Sequence, residues 1–442
     1  MTQTAPDPGA NPRARASLLP ALLPWGLAAL ALLALPHVFL ANSTITILNQ
    51  MAITIVFALS YNMLLGQAGM LSFGHAIYMG FGGFFCLHLM NHAQDAGLPL
   101  PLPVLPLFAG LFSLGMATVI GAFSTRKSGT VFAMISLGIV ELVAACSLIV
   151  YSFFRGGGVG GDRTLGQPFF GVEFLYQNQV YYLIAAWLLV SAALMYAFSR
   201  TPIGRMANAV RENPERVEFL GYSAHWVRFY SFCAAGFFAG VAGGLFAINY
   251  EIATVENLNL QASGTILMIA FLGGVGVFFG PVLGAIVFTL LQTVLSLQTD
   301  LWQLYVAVLF MATVMFFPGG LAGLLMMHVP VIRLGNFGVL LRPYGRTLVP
   351  AAIATLGAAA LVEMLFHLRH SGGRDPEMTL FWVTFDSLST LPWLLAGLAA
   401  GGGLWLTRRS LPALVSAWHD AHLPRDQRLA KTAGQGARAT SS

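Results

Sequence analysis

The sequence predicts an all-α protein, a polytopic transmembrane helical bundle with about ten core spans plus two extra C-terminal spans. Hydrophobic residues make up 57% of the 442 residues and charged residues only 9%, whereas a soluble domain averages about 25% charged. Apolar runs of about 20 residues, the length of a membrane-crossing helix, recur along the chain. The Lys and Arg residues lie in the segments between these runs and in the tails. Lipid is therefore expected to surround most of the protein.

The predicted spans divide into a block of ten and a later pair. They cover residues 18–40, 45–65, 72–91, 104–123, 129–151, 180–198, 228–249, 263–278, 281–297, 302–321, 347–366 and 379–406. Only a short Phe-Gly-Pro break separates the eighth run from the ninth, so these are either two spans or one broken, re-entrant element. The chain thus divides into a tail at 1–17, a membrane domain at 18–326 and an extension at 327–442 with two spans and a basic tail.

Lys and Arg residues predict the orientation, because they are enriched in cytoplasmic loops. They cluster before the first span, between the fourth and fifth, at 200–228, before the eleventh and after the twelfth. If the N-terminus is cytoplasmic, all of these clusters fall on the cytoplasmic side, which predicts that both termini are cytoplasmic. Counting 263–297 as a single span would invert everything after it, so this agreement favours two passes there.

Small residues at four-residue spacing predict close helix packing. On a membrane helix, this spacing makes a flat stripe that another backbone can approach. The stripe faces either another helix of this chain or a second subunit. The predicted sets are Gly236, Gly240 and Gly244; Gly276, Gly280 and Gly284; and Ser72, Ala76 and Gly80.

Two glycine-rich breaks, at 66–75 and 273–281, interrupt the apolar runs. Irregular backbone at membrane depth survives where it is buried in protein or lines a wet cavity, and paired breaks indicate a transport path. Glu141 lies near the middle of a span, where an acidic side chain is unlikely to face lipid. It is either a path-lining group or a hydrogen-bonding anchor between helices or subunits. The predicted path residues are Asn62, Gln67, Ser72, His75 and Glu141.

The sequence carries no constellation for chemistry of its own. It has no Gly-x4-Gly-Lys-Ser/Thr motif for ATP and no metal-ligand spacing of His, Cys, Asp or Glu. The net charge of +5 resides in loops and tails, so it does not indicate nucleic acid. We therefore expect no metal, no cofactor, no nucleic-acid partner and no enzymatic activity. A conduit of this kind needs a motor in another protein, which would bind the ATP.

The charged segment 200–222 is the natural contact for such a motor. It is helix-forming and lies between two long apolar runs. Asn213 is suited to cap a helix that begins at Pro214, and Gly221 suits its C-terminal end. The predicted coupling residues are Arg211, Glu212, Asn213, Pro214, Glu215 and Gly221. The alternative is a plain surface loop.

Four motifs together resemble one family, the M-type inner-membrane permease subunit of branched-chain amino-acid ABC importers. They are ALSYNMLLGQAGMLSFGHA at 58–76, the segment 201–221, FFAGVAGGL at 237–245 and LGGVGVFFGPVLGA at 272–285. The related urea and amide permeases are similar. The resemblance covers about residues 45–325 and implies that 18–326 is the permease domain.

The resemblance also implies the partners. These are a second, H-type permease, two cytoplasmic ATPase subunits and a periplasmic substrate-binding protein, in the lipid bilayer of a bacterial inner membrane. The family's coupling motif is Glu-Ala-Ala-x-x-x-Gly. Here Glu215 and Gly221 keep its Glu and Gly spacing, but the alanines are replaced. The extension after about Leu325 departs from the family pattern.

Three alternatives stay open at this point. The importer could carry urea, a short amide or an organic acid. A stand-alone secondary transporter would need ionisable residues along several spans, and Glu141 and Glu363 are the main candidates. A membrane enzyme would need a catalytic cluster, which the sequence does not show.

Overall fold

A computed structural model describes residues 18–39, 41–98, 100–165, 174–371, 377–380 and 383–423, and the predicted tails at 1–17 and 424–442 lie outside this part. Its first ten α-helices are α1 Leu18–Val38, α2 Asn42–Asn62, α3 Ala76–Asp95, α4 Leu105–Ser124, α5 Gly129–Ile149, α6 Tyr151–Phe154, α7 Gln177–Arg200, α8 Pro202–Glu212, α9 Pro214–Phe219 and α10 Ala224–Tyr250. The others are α11 Leu260–Gly273, α12 Gly280–Leu290, α13 Trp302–Phe316, α14 Gly320–Arg333, α15 Phe337–Ser371 and α16 Thr390–Ala421. The all-α prediction is confirmed.

Short elements complete the fold. One π-helical turn, Met63–Gln67, extends α2, and another, Leu291–Leu295, extends α12. Turns of 3₁₀ helix cover Leu102–Val104, Arg163–Leu165 and Val255–Leu258. Strands β1 Gly158–Gly160 and β2 Ile252–Thr254 form one antiparallel pair, and β3 Glu377–Leu380 and β4 Val383–Asp386 form another.

The described residues hold 7 helices long and apolar enough to cross a membrane, or 8 if the bent pair α13 and α14 counts as one span. Three further apolar helical stretches are shorter, namely Leu23–Val38 within α1, Leu260–Gly273 and Gly280–Leu295. A polytopic bundle is therefore confirmed, whereas the predicted number of about ten core spans plus two stays a prediction.

Helix α10 lies at the centre of the bundle, and 83% of the residues in its most apolar stretch are buried. Its Gly236, Gly240 and Gly244 stripe faces α4. A Cβ built on Gly236 would lie 2.5 Å from the Cβ of Ala117, and one on Gly244 would lie 2.8 Å from the Cβ of Ala109. Because the residue number rises on one helix as it falls on the other, the two helices run antiparallel. Backbone atoms approach this closely only where side chains are absent.

Helices α11 and α12 form a tight antiparallel hairpin. A Cβ on Gly273 would meet the carbonyl oxygen of Gly280, and a Cβ on Gly284 would meet that of Ile269. Helix α11 has 14 residues and α12 with its π turn has 11 and 5, which gives each arm a length of about 21–24 Å. Each arm is shorter than the hydrocarbon core of about 30 Å. Gly276 departs from the predicted packing stripe, because it lies in the connecting turn and a Cβ there would meet no atom within 4 Å.

The chain separates into two compact units, Met1–Gly323 and Leu324–Ser442, close to the boundary expected at 326. In the second unit, α15 and α16 pack side by side through Gly357 and Gly403. A Cβ on Gly357 would lie 2.5 Å from the amide nitrogen of Ala400. The Asn336 side-chain amide donates to the carbonyl oxygens of Ala421 and Leu423, at 3.0 and 3.1 Å, and so ties the start of α15 to the end of α16.

The last predicted span, 379–406, begins in the wrong element. Residues 377–380 and 383–386 are the paired strands β3 and β4, and α16 begins only at Thr390. The run is apolar, but Val383, Thr384 and Phe385 are β-branched or aromatic, and such residues favour strands. Hydrophobicity alone does not distinguish a short strand from a helix.

Candidate functional site

Helices α8 and α9 form a short helical elbow in the charged segment, and local sequence explains both. The Thr201 hydroxyl oxygen accepts from the Gly204 N–H at 3.2 Å and begins α8. The Asn213 Oδ1 accepts from the Arg216 N–H at 3.0 Å and begins α9. Each cap is followed by a proline, whose missing N–H costs nothing in the first turn. Asn213 is thus both the end of one helix and the start of the next.

Arg211 joins this elbow to the first glycine-rich break. Its guanidinium Nη1 donates to the carbonyl oxygen of Gly66, at the end of the α2 extension. Its side chain then crosses Gly69, where a Cβ would lie 2.5 Å from the Arg211 Cγ. Gly69 also has φ +67, in the left-handed region that favours glycine. Glycine is therefore required at 69 on two counts.

The two glycine-rich breaks meet at the same end of the bundle. The Asn62 Nδ2 donates to the carbonyl oxygens of Val277 and Phe278, both at 3.4 Å. A Cβ on Gly66 would lie 2.6 Å from the carbonyl oxygen of Val275. One continuous chain of contacts therefore joins Arg211, the α2 extension and the turn between α11 and α12. We call residues 62–69, 211 and 274–279 the elbow junction.

Four of the predicted path residues lie in the packed interior beside this junction. Their exposed fractions are 2% for Asn62, 7% for Gln67 and 1% each for Ser72 and His75. The Ser60 hydroxyl oxygen lies 3.0 Å from His75 Nε2, and the Tyr61 hydroxyl donates to the Ser72 carbonyl oxygen at 3.0 Å. In this conformation these groups fasten the loop 68–75 to α2.

Glu141 lies elsewhere and is exposed. It makes no hydrogen bond or ion pair with any residue that the structure describes. If Glu141 is an anchor between helices, the sequence offers Ser136 and Asn62 as its partners, and neither contacts it. Only 28% of the residues in the most apolar stretch of α5 are buried. A carboxylate at mid-span costs about 2.5–3.5 kcal/mol in lipid, so this face is suited to contact something other than lipid.

The outer surface of the elbow combines acidic side chains with exposed apolar ones. Phe219 is 90% exposed, and Leu220 and Tyr222 follow it at the surface. Glu212, Glu215 and Glu218 are also exposed, whereas Val217 is buried and anchors α9. Gly221 has φ +83, and a Cβ there would meet no atom within 4 Å. No residue that the structure describes covers this apolar tip.

A polar cluster at the opposite end of the bundle escaped the sequence analysis. Arg163 Nη1 donates to the carbonyl oxygens of Ile248 and Asn249, its Nη2 donates to Gln177, and its Nε lies 3.3 Å from the Glu251 carboxylate. The Asn49 amide also donates to the Asn249 Oδ1, at 2.9 Å. These residues come from four separate segments, so no spacing along the chain could have indicated them. The cluster ties the C-terminal end of α10 to α2 and α7.

Within the part of the chain that the structure describes, no group of three or more His, Cys, Asp or Glu side chains is placed to hold a metal ion. The family described as the permease component of the branched-chain amino acid transport system matches residues 43–318. The chain belongs to this permease family. The matched region holds α2 to α13, and with them the elbow junction.

Curated relatives agree with this assignment. The high-affinity branched-chain amino acid transport system permease protein LivM of Escherichia coli (strain K12) is 26% identical over 339 residues, covering 70% of this chain and 76% of the relative. LivM of Salmonella typhimurium (strain LT2) is 27% identical over 289 residues, 59% of this chain and 65% of the relative. The autoinducer 2 import system permease protein LsrC of Klebsiella pneumoniae is 29% identical over 182 residues, 40% of this chain and 51% of the relative. No solved structure matches the chain.

Proposed function

We propose that this chain forms the translocation path of an ABC importer for branched-chain amino acids. The family match and the two LivM relatives support this solute class. The elbow is proposed as the binding site for a separate ATPase subunit. The main support for that role is that Arg211 connects the exposed elbow directly to Gly66 and Gly69 in the first glycine-rich break.

The elbow has the chemistry of a docking element. An apolar tip at Phe219 and Leu220 can enter a cleft, and the surrounding glutamates can pair with cations at the rim of that cleft. Buried apolar anchors with a polar rim are the usual composition of a protein interface. The predicted coupling residues Glu215 and Gly221 lie at the two ends of this surface.

Transmission follows from the contact chain. A force on the elbow moves Arg211, which is held to the Gly66 carbonyl and packed over Gly69. Asn62 carries the displacement on to the turn between α11 and α12. Packed elements of this kind move as rigid bodies between discrete arrangements. The buried groups Gln67, Ser72 and His75 would then change their exposure as the loop 68–75 moves.

We further propose the remaining partners and the orientation. A second permease subunit covers the face of α5 that carries Glu141, because that carboxylate would otherwise meet lipid. Two ATPase subunits bind on the side of the elbow, and a binding protein delivers solute on the opposite side. Both termini are cytoplasmic in a bacterial inner membrane, as the Lys and Arg distribution predicts. ATP binds to the partner subunits.

The test is uptake of radiolabelled leucine by proteoliposomes that contain the permease pair with and without the ATPase subunits. We expect uptake only when the ATPase subunits and ATP are present. Uptake without them would refute the importer assignment, and ATP-driven uptake of a urea or organic acid instead of leucine would change the solute class.

Two variants test the coupling surface, each with a matched control at the opposite end of the bundle. Glu215→Arg and Gly221→Trp should abolish ATP-driven uptake while membrane insertion stays normal. Asp95→Arg is the control for the charge change, and Gly97→Trp for the bulky residue, since Gly97 has φ +63 and nothing within 4 Å of its Cβ position. Normal uptake by both elbow variants would refute the docking role.

A further inference from the structure

A half-open groove of about 170 Å³ lies between α2, α3, α11 and α12. Polar side chains at its rim include Thr54, Asn257, Thr265 and Gln292, and apolar ones such as Phe57 and Ile269 form its floor. None of these residues was identified from the sequence. Phe57 is 6% exposed and Ile269 2% exposed, so the floor is part of the bundle core.

The groove lies at membrane depth. Thr54 is twelve residues along α2 from Asn42, about 18 Å from that end of the helix. Gln292 is twelve residues from Gly280, about 18 Å from the turn between α11 and α12. The Gln50 Nε2 of α2 lies 3.4 Å from the Gln292 Oε1. Amide and hydroxyl groups facing hydrocarbon would each cost free energy. Their concentration on one open surface indicates a face that meets a polar solute or water.

The hydrogen bonds already made show what this surface still offers. The Thr54 hydroxyl donates to the Gln50 carbonyl oxygen at 2.8 Å, and the Thr265 hydroxyl donates to that of Gln261 at 3.0 Å. Both hydroxyl oxygens therefore keep lone pairs that can accept from a solute. The side-chain amides of Asn257 and Gln292 donate no hydrogen bond to any residue that the structure describes. These amides remain able to donate.

The available groups match one class of solute. Acceptor hydroxyls suit an ammonium group, amide donors suit a carboxylate, and the apolar floor suits an aliphatic side chain. None of the described residues that line the groove is charged, so a solute with no net charge is favoured. The volume is below the usual range of about 300–1,000 Å³ for sites that hold drug-sized ligands, which fits a molecule the size of a single amino acid.

We propose that this groove is a transient binding site for an aliphatic zwitterionic amino acid on its way through the permease. The proposal rests on the proposed function and adds to it the residues that hold the solute. The hydroxyls of Thr54 and Thr265 accept from the ammonium group, the amides of Asn257 and Gln292 donate to the carboxylate, and Phe57 and Ile269 contact the side chain. A neutral site of this kind binds weakly enough to release the solute, as conduction requires.

Conservative substitutions in the complete transporter test this site. Thr54→Val and Thr265→Val keep the shape and remove the acceptors. Each should reduce ATP-driven leucine uptake about tenfold, as expected when a solute hydrogen bond worth about 1.4 kcal/mol is lost. ATP hydrolysis stimulated by the binding protein should stay at the wild-type level, because the elbow is untouched. Thr118→Val is the control, since this exposed α4 threonine makes the same type of bond, to Leu114 at 2.8 Å.

A second measurement detects occupancy directly. Thr265→Cys in the reconstituted transporter should react with a methanethiosulfonate reagent, and leucine should slow that reaction. Labelling of Gly115→Cys on α4, where no described atom lies within 4 Å of the Cβ position, should not depend on leucine. Normal uptake by both valine variants, or leucine-independent labelling at 265, would overturn the binding site while leaving the importer assignment intact. Failure of the wild-type transporter to move leucine with ATP would instead refute the proposed function.

Discussion

Replacing Gly69 by alanine places a methyl group where the Arg211 side chain lies. The new Cβ would be 2.5 Å from the Arg211 Cγ, so the arginine must move and its hydrogen bond to the Gly66 carbonyl is lost. A non-glycine residue at φ +67 costs about 1 kcal/mol, and a lost hydrogen bond from a charged donor costs about 1.5–3 kcal/mol. The second contribution is specific to the elbow junction.

Gly97→Ala separates these two contributions. Gly97 has φ +63, nearly the same backbone conformation, but nothing lies within 4 Å of its Cβ position. It should therefore show only the backbone cost. The remaining difference of about 1.5 kcal/mol corresponds to roughly a tenfold loss of the docked arrangement. We expect Gly69→Ala to lower ATP-driven uptake at least tenfold and Gly97→Ala to leave it within about twofold.

The assay is leucine uptake in proteoliposomes, with ATP hydrolysis measured in the same samples. Gly69→Ala should leave hydrolysis largely intact while uptake falls, because the motor is separated from the path. In the Arg211→Ala variant, the side chain that a Cβ at residue 69 would clash with is already removed. Adding Gly69→Ala to that variant should therefore cause little further loss of uptake. Additive losses in the double variant, or equal behaviour of Gly69→Ala and Gly97→Ala, would show that Arg211 does not transmit the force.

Two further predictions concern stability and helix capping. Gly240→Leu should destabilise the bundle strongly, because a Cβ there would lie 2.8 Å from the Ala109 carbonyl oxygen. Gly115→Leu on α4, where no described atom lies within 4 Å of the Cβ position, should unfold at the wild-type temperature. Equal melting temperatures for the two variants would contradict the packing described for α10. Asn213→Ala should remove the α9 cap at a cost of about 1 kcal/mol, which hydrogen exchange should report as faster exchange of the α9 amides. Asn213→Asp should restore slow exchange. Unchanged exchange in the alanine variant would show that the cap does not stabilise α9.

Sequence patterns predicted local structure well where a single chemical cause dominates. Long apolar runs predicted helices because backbone groups in lipid must be satisfied within the segment. Asn213 before Pro214 predicted the start of α9 because capping acts over three residues. The β3–β4 hairpin was missed because an apolar run has no periodicity that separates strand from helix over four residues.

Contacts between distant segments were beyond reach of the sequence. Gly69 and Arg211 are far apart in the chain, and neither residue type indicates the other. The groove was missed for a related reason: Thr54, Thr265 and Gln292 are ordinary residues in apolar helices, and only the packing of α2 against the α11–α12 hairpin places them on one surface. Glu141 was predicted not to face lipid because it is an acidic residue in the middle of a span. The sequence did not show that Glu141 is exposed, because this depends on how little of α5 the rest of the chain covers.

The α11–α12 hairpin also has a consequence for membrane insertion. Its two arms run antiparallel, so the chain leaves the hairpin on the side from which it entered. The direction of α13 and of every later helix is therefore the same whether the hairpin crosses the bilayer fully or turns back halfway. Reporter groups attached before Leu260 and after Leu295 should face one compartment. The topology of the rest of the chain therefore does not depend on how deeply the hairpin enters the bilayer.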